Sequence, residues 1–384
     1  MLLALAPIAA PAAAVTVPMD DVAGILVVNV TLDGKGPYHF VLDTGAGTTV
    51  VTPELAKAVG LAAQGSDVAH GTSDGEVSAR LTTLESLAVG TAMQTGVAAA
   101  IVPLPPDLTY QGAYGTIDGI VGATFLRNYV LSLDIAGGRA SFAPKGTSAL
   151  EASQALPLTF TANGVPIVAA AVEGARGRFE IDSGNNDDVL LAQRFARAHG
   201  VGRRYRFPIH SEYVGVGGSA GSTRVRAGLS IGTFSLRGIP TDISTATSGV
   251  LERDELDGNL GYDVLRQFVV TIDYGAALLY LRPSAEYGTP IPVRGTGIVP
   301  RRNADGTFAV VGVLEGTPAA AAGVRAGDTI LAVDARAAAS MSGEDYRAAT
   351  AVGAGGSVTY ELRSGTATRL LALPTVDLLP QGRP

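Results

Sequence analysis

The chain has 384 residues, 47% hydrophobic and 16% charged, which is long enough for two or three domains with separate cores. A formal net charge of −7 gives no basic surface for nucleic acid, and the absence of cysteine excludes disulfides, thiolate metal sites and a cysteine nucleophile. The 49 glycines and 21 prolines, with abundant Val and Thr, favour many short strands over long helices.

The N-terminal segment, residues 1–15, reads "MLLALAPIAAPAAAV". An apolar run that ends in small residues is typical of a signal peptide, although the usual positive charge at its start is missing. The run is too short to span a bilayer. We therefore expect an exported protein, periplasmic or extracellular, without a membrane span; an unstructured Ala/Pro tail is the alternative.

The stretch "FVLDTGAGTTVV" (40–51) places Asp43 directly after a hydrophobic strand, at the start of a tight turn. Such an aspartate is either part of an ordinary turn or half of a catalytic carboxylate pair. A short helix ("PELAKAVG") and a glycine-rich hairpin (70–81) are predicted to follow.

A second copy of this arrangement begins 139 residues later, where Asp182 follows another apolar strand in "GRFEIDSGNNDDVLL". The same offset relates "IDGIVGATFLRNYVLSLD" (117–134) to "LDGNLGYDVLRQFVVTID" (256–273). Repetition at one fixed offset indicates a duplicated domain. We predict a mainly β fold with two lobes, 16–148 and 149–285, related by a pseudo-twofold axis at which Asp43 and Asp182 face each other.

These motifs resemble the aspartic proteases, of the retropepsin and pepsin-like kind, over residues 20–285. Asp-Thr-Gly-Ala is similar to the retropepsin signature, and "DGIVG" is similar to the glycine loop that supports the catalytic turn. The resemblance implies a catalytic dyad of Asp43 and Asp182. It implies supporting roles in the two dyad loops for Thr44, Gly45, Ala46, Ser183 and Gly184. It also implies that the two hairpins act as flaps, with candidate flap residues Gly71, Gly75, Gly217 and Gly218.

The chemistry of such a pair supports the same hypothesis. Two carboxylates about 3 Å apart cannot both ionise cheaply, so they share one proton. The ionised member then accepts a proton from water while the protonated member donates to the substrate carbonyl. This mechanism needs no cofactor and no metal, and we predict neither.

The second loop departs from the first, because Asn185-Asn186-Asp187-Asp188 stands where the first has Ala46-Gly47-Thr48-Thr49. The additional acids would raise the pKa of the dyad if they point inward, or they cap the following helix. Asn259 also replaces the apolar Ile120. These changes leave open a specialised second lobe, or a pseudoprotease that binds peptides or unfolded protein without cutting.

The sequence "GGSAG" (217–221) matches a serine hydrolase elbow, G-x-S-x-G. That elbow requires a helix after the serine and a histidine further along the chain. A second strand is predicted instead, and no histidine follows His210. We interpret this segment as the tip of the second hairpin.

After a predicted linker (281–295), the segment from Val313 to Ile330 resembles a bacterial PDZ domain, which we place at 286–378. The resemblance implies an α+β fold and a loop that binds a peptide C-terminus by strand addition. The residues of that loop are Gly295, Thr296, Gly297, Ile298 and Val299. A module that only packs against the protease is the alternative.

Taken together, the sequence predicts a monomeric aspartic endopeptidase with polypeptide substrates and a PDZ domain that binds peptide C-termini. Nucleic acid is not expected as a partner, because the charge is unsuited to it.

Overall fold

The computed structural model describes residues 14–22, 24–71, 76–105, 116–147, 154–186, 188–203, 209–215, 218–252, 254–303, 305–341, 343–350, 352–353 and 355–379. The fold is mainly β, as predicted. Across these ranges, no helix is both long enough and apolar enough to cross a membrane.

The first half contains strands that form an eight-stranded sheet and part of a larger one. The strands are β1 (Val15–Pro18), β2 (Asp20–Val22), β3 (Ile25–Leu32), β4 (Lys35–Leu42), β5 (Thr49–Val51), β6 (Gly65–His70), β7 (Glu76–Val89), β8 (Ala92–Ile101), β9 (Gly119–Val121), β10 (Tyr129–Asp134) and β11 (Arg139–Pro144). Within the described part of this half, two short helices lie between the strands: α1 (Pro53–Val59) and α2 (Ala123–Leu126).

The second half repeats this order of elements. Its strands are β12 (Gln154–Phe160), β13 (Pro166–Val172), β14 (Ala175–Ile181), β15 (Val189–Leu191), β16 (Ile209–Gly215), β17 (Gly218–Ile231), β18 (Phe234–Ser244), β19 (Gly258–Leu260), β20 (Phe268–Asp273) and β21 (Leu278–Pro283). Its helices are α3 (Gln193–His199) and α4 (Tyr262–Leu265). The pairing of β4 with β9 and that of β14 with β19 are parallel and have the same register, so the two halves have equivalent geometry before each dyad loop.

The two halves join through strands in the order β1-β11-β10-β20-β21-β12. At the centre, β10 and β20 are antiparallel, and Ser132 pairs with Thr271. The Thr271 hydroxyl donates to the Ser132 hydroxyl at 2.9 Å, and these residues are 139 positions apart. Because each is the repeat counterpart of the other, the pseudo-twofold axis passes through this pair.

Helix boundaries follow local chemistry at α1. Thr52 accepts a hydrogen bond from the Leu55 N–H, Pro53 occupies the first turn, and Gly60 ends the helix in the left-handed conformation. At α3 the residue before the helix is Ala192, which provides no side-chain cap. The expectation that Asp187 or Asp188 caps this helix is therefore wrong for Asp188, which lies before β15; Asp187 lies outside the described residues.

One large hydrophobic core runs through both halves, from Met19 to Ile291, and two smaller apolar clusters lie in the first half. The C-terminal domain has its own core, built around Tyr360, Phe308 and Ile330. Separate cores support the prediction that the last part of the chain is a distinct domain.

The C-terminal domain is a small α+β unit. Its strands are β22 (Arg294–Gly295), β23 (Ile298–Arg302), β24 (Phe308–Val313), β25 (Thr329–Val333), β26 (Arg336–Ala337), β27 (Ser357–Ser364), β28 (Ala367–Pro374) and β29 (Val376–Asp377), and its helices are α5 (Pro318–Ala321) and α6 (Gly343–Thr350). In the sheet order β23-β24-β25-β27-β28, the strand β23 lies at the edge. Thr317 caps α5 and Pro318 starts it.

The segment predicted as a linker packs against the second lobe. The Tyr287 ring packs against Phe234 and Phe268 of the second lobe, with centroid distances of 5.8 and 5.4 Å. Ile291 is buried in the core of the lobes. Pro and Gly in this segment therefore shape a packed connection, and composition alone gave no indication of the aromatic contacts.

Candidate active site

The two dyad loops begin where β4 and β14 end. The backbone N–H of Asp43 donates to the Val121 carbonyl, and that of Asp182 donates to the Leu260 carbonyl, both at 3.1 Å. The parallel neighbours β9 and β19 thus fix the start of the two dyad loops.

The loops approach so closely that each glycine lies against the carboxyl of the other lobe. A Cβ added at Gly45 would come within 3.0 Å of the Asp182 carboxyl, and one at Gly184 would come within 3.0 Å of the Asp43 carboxyl. Only glycine fits at these two positions without displacing a carboxyl. The structure therefore brings Asp43 and Asp182 together, close enough for the charge of one carboxyl to act on the other.

Thr44 and Ser183 join the two loops through four hydrogen bonds. The Thr44 hydroxyl donates to the Ile181 carbonyl at 2.6 Å and accepts from the Ser183 N–H at 3.0 Å. The Ser183 hydroxyl donates to the Leu42 carbonyl at 2.7 Å and accepts from the Thr44 N–H at 3.0 Å. Both side chains are fully buried, so this hydroxyl clasp holds the loops in one geometry.

Each Oδ1 atom of the two aspartates accepts hydrogen bonds from the backbone of its own loop. Asp43 Oδ1 accepts from the N–H groups of Gly45 and Ala46, at 2.8 and 3.0 Å. Asp182 Oδ1 accepts from those of Gly184 and Asn185, at 3.0 and 3.1 Å. Ala46 thus contributes through its backbone, which explains why its counterpart can be the larger Asn185.

The two carboxyls differ in acidity. Burial raises the pKa of Asp43, although hydrogen bonds from the backbone of Gly45 and Ala46 oppose this. Asp182 is only 8% exposed, and burial raises its pKa well above the usual range, with further increases from the charges of Asp43 and Glu180. Burial therefore shifts both carboxyls toward the protonated form, and Glu180 adds a negative charge on the Asp182 side.

The Asp-Gly-x-x-Gly loops support the dyad loops by close backbone packing. A Cβ at Gly122 would collide with the backbone oxygens of Thr48 and Ala46, and the Ala123 N–H donates to the Ala46 carbonyl at 2.8 Å. In the second lobe, the Tyr262 N–H donates to the Asn185 carbonyl at the same distance. The small residues in these loops are needed because backbone lies against backbone there.

A hairpin rises from each lobe, as predicted. The Gly71 carbonyl, near the turn between β6 and β7, accepts from the Val250 N–H of the second lobe at 3.0 Å. Gly218 starts β17 with φ of 113°, a conformation that favours glycine. Gly75 and Gly217 lie outside the described residues. Ser219 and the residues after it continue as β17, so no helix follows the serine of "GGSAG".

Sequence reasoning missed Tyr274, which follows β20. Its hydroxyl is buried and has no hydrogen-bond partner among the described residues. Its ring stacks on Phe160 at 5.6 Å, and its pKa is raised by burial and then by the charge of Asp43. The sequence could have pointed to Tyr274, because it stands where the first repeat has the apolar Ile135.

The predicted peptide-binding loop lies at the start of β23. The Thr296 hydroxyl is buried and hydrogen-bonded to the Tyr360 hydroxyl at 3.1 Å. The backbone carbonyl of Thr296 accepts from the Ala319 N–H at 2.9 Å. Gly297 has φ of 95° and lies against the Thr317 side chain. Ile298 and Val299 pair with β24 on one side only, which leaves the outer side of this edge strand for another chain.

Comparison with known proteins matches two parts of the chain to families. Residues 28–125 match the model of the aspartyl protease family, and residues 310–363 match a PDZ domain model. The resemblance seen in the sequence is confirmed in both places: the chain carries an aspartyl protease-like domain and a PDZ domain.

Two solved structures are also similar. An aspartic proteinase from Irpex lacteus shares 15% identity, with 72% of this chain and 99% of that chain covered and a TM-score of 0.47. A photosystem II D1 C-terminal processing protease shares 30% identity over 25% of this chain, with a TM-score of 0.22. The match spans only 26% of that protease. No curated protein matches the sequence.

Proposed function

We propose that the chain is an aspartic endopeptidase of the retropepsin-like kind, in which Asp43 and Asp182 activate one water molecule. The observation that carries this proposal is the close approach of the two carboxyls, each held against the glycine of the opposite loop. The hydroxyl clasp of Thr44 and Ser183 supports it, because catalysis by a shared proton requires the two loops to keep a fixed spacing.

In this mechanism Asp43 is the ionised member and Asp182 holds the proton, because Glu180 places a further negative charge beside Asp182. Water adds to the peptide carbonyl carbon while Asp43 takes one of its protons and Asp182 gives its proton to the carbonyl oxygen. The neutral diol then collapses: the C–N bond breaks, the nitrogen takes the proton from Asp43, and a hydroxyl proton returns to Asp182. All protons balance, and the dyad is regenerated.

The substrate would lie extended between the lobes, beneath the two hairpins. Contact between Gly71 and Val250 supports a flap role for the first hairpin, since it bridges the space between the lobes. The presence of one hairpin per lobe also supports the retropepsin-like assignment.

The PDZ domain would bind the C-terminus of a peptide along β23. The edge position of β23 and the glycine at 297 support this, because strand addition needs an open edge and a loop that can present its N–H groups. We would titrate a labelled peptide with an apolar C-terminal residue, as the free acid and as the amide. Binding at least about tenfold tighter for the acid supports carboxylate recognition; equal binding contradicts it.

Export is part of the same proposal, and the apolar segment at residues 1–15 supports it. Mass spectrometry of the N-terminus of the protein from its native cells would test it. A mature chain that starts near residue 15 is the expected result, whereas an intact Met1 contradicts export by cleavage.

The decisive experiment is cleavage of a denatured protein mixture from about pH 3 to about pH 8. Wild type would be compared with Asp43→Asn, Asp182→Asn and the control Asp134→Asn, which removes a partly exposed carboxyl paired with Arg139. We expect each dyad change to abolish cutting and the control to cut normally. If wild type does not cut at any pH, or if Asp182→Asn cuts as wild type does, the dyad is wrong and the alternative of a peptide-binding pseudoprotease applies.

A further inference from the structure

The Oδ2 atom of Asp182 has a side-chain partner from the second lobe. Asn259, on β19, donates from Nδ2 to Asp182 Oδ2 at 2.8 Å. Its Oδ1 accepts from Asn185 Nδ2 at 2.7 Å. Asn259 is only 1% exposed, so its amide is paired at both ends inside the protein. Because a donor occupies its oxygen, the amide can present only its N–H group to Asp182.

The first lobe has no equivalent donor at this position. Ile120 occupies the same place on β9 and belongs to an apolar cluster with Ile25, Val27 and Val41. The registers of β4 with β9 and of β14 with β19 are the same, so the difference lies in the side chains and not in the backbone.

We propose that Asn259 is a positioning residue of the dyad, which fixes the Asp182 carboxyl and extends the pH range over which it ionises toward lower pH. The inference rests on the proposed function. Hydrogen bonds donated to a carboxylate favour its charged form, and they also fix the plane of the carboxyl.

Several acidic groups near Asp182 act in the opposite direction. Asp43 faces it from the first lobe, and Glu180, on β14, lies directly opposite Asn259 in the parallel ladder and is 4% exposed. Asp188, at the start of β15, is buried as well, and Tyr274 is close enough to Asp43 to respond to its charge. In a site with this much negative charge, the amide of Asn259 offsets part of the cost of ionising Asp182.

The test exchanges second-lobe residues for their first-lobe counterparts. In Asn259→Ile the carboxylate loses a donor, so we expect both limbs of the pH profile of kcat/KM to move up by about one pH unit. Glu180→Val removes a like charge, so its profile should move down, by a fraction of a unit. Asn185→Ala keeps Asn259 but removes the hydrogen bond to its side-chain oxygen. We expect a smaller upward shift of the pH profile in this variant.

The matched control is Asn128→Ala. The Asn128 amide donates to the carbonyls of Thr124 and Phe125 at the end of α2 and does not reach the dyad. Its loss should lower stability without moving the pH profile. If Asn259→Ile and Asn128→Ala both leave the profile in place, Asn259 is only a packing residue and the inference is overturned, although the proposed function stands.

A second readout does not depend on activity. We would measure Tm against pH for wild type and Asn259→Ile, each with and without Asp182→Asn. Because Asn259 favours ionised Asp182, the Tm difference between wild type and Asn259→Ile should grow as pH rises, and this growth should vanish in the Asp182→Asn background. A pH-independent difference overturns the inference. If wild type never cuts but the growth is present, the proposed function fails and the positioning contact stands.

Discussion

Behind Asp43, the strands β4 and β9 present Val41 and Ile120, which pack in an apolar cluster. Behind Asp182, the same two places on β14 and β19 hold Glu180 and Asn259, both buried. The loops themselves are nearly identical in their hydrogen bonds. This comparison shows that a duplicated fold can keep the geometry of two carboxyls equal through backbone and glycine, while neighbouring side chains make their acidities different.

Replacement of either dyad-loop glycine should have the largest effect, and an equal one in both lobes. In Gly45→Ala and Gly184→Ala the new methyl group displaces the carboxyl of the other lobe. We expect kcat/KM to fall by about a hundredfold or more, since small displacements of a catalytic group have this cost. Gly353→Ala, where an added Cβ meets nothing, is the control and should cut normally. Activity in only one of the two variants would mean that the loops are not equivalent.

A second difference between the lobes is their attachment to the C-terminal domain, which involves Arg226 of β17. This buried guanidinium is paired with Asp377 at 3.1 Å and donates to the carbonyls of Gly238, Ile291 and Leu379. We expect Arg226→Met to lower the free energy of unfolding by about 3 kcal/mol, because it leaves these acceptors unpaired. Denaturant titration measures the loss, and limited proteolysis would show release of the C-terminal residues.

The matched control for this change lies two residues away on the same strand. Arg224 is paired with Asp242 inside the second lobe. Arg224→Met should lower stability but leave the C-terminal residues protected from protease. Equal release in both variants would mean that Arg226 is not the attachment point.

The hydroxyl clasp is symmetric, so its two halves should contribute equally. Thr44→Val leaves the Ser183 N–H and the Ile181 carbonyl without partners, and Ser183→Ala does the same to the Thr44 N–H and the Leu42 carbonyl. Each variant should lose about 2–4 kcal/mol of unfolding free energy, measured by denaturant titration. Thr16→Val removes an exposed hydroxyl pair with Ser141 and should change little. A large loss in only one clasp variant would contradict the symmetry.

The smallest effect, and the one that separates the lobes, is the pH dependence of stability. The pKa of Asp182 is raised in the folded protein, mainly by burial, so the folded state holds a proton that the unfolded state releases. Stability is therefore lost as pH rises from about 4, the unfolded pKa, toward the folded pKa. We expect Asp182→Asn to be more stable than wild type at neutral pH and to lose this advantage near pH 4, with a weaker trend for Asp43→Asn. Tm measured across this range would decide; a larger effect at Asp43 would reverse the proposed acid and base.

The sequence allowed prediction of much of this fold because the repeat doubled each local signal. Strand, turn and glycine loop recur at one offset, so Asp43 and Asp182 could be paired from the sequence alone. Asn259 was recognisable as a departure from Ile120, but its contact with Asp182 depends on the register of β14 and β19. Glu180 was not singled out, because a charged residue at an alternate position of a strand is normal where one face of the strand is exposed.

Other features could not be predicted for physical reasons. Tyr287 and Ile291 stand among Pro and Gly, and only the tertiary contacts with Phe234 and Phe268 make that segment part of the second lobe. Arg226 looks like an ordinary strand residue, since its acceptors on Ile291, Asp377 and Leu379 come from chain segments more than 60 residues away. Tyr274 belongs to no motif, and its position near the dyad follows from the way the halves join.

The contacts of Asp377 and Leu379 with Arg226 also have a consequence for biosynthesis. A guanidinium buried in the second lobe obtains its carboxylate partner and a carbonyl partner from Asp377 and Leu379, which are synthesised more than 150 residues after it. While a nascent chain lacks these residues, the second lobe has a buried cation without its counterion, an unfavourable state. We therefore expect the second lobe to reach its final stability only after residues 377–379 have been synthesised, and protease sensitivity of ribosome-stalled chains that stop before residue 377 would reveal the delay.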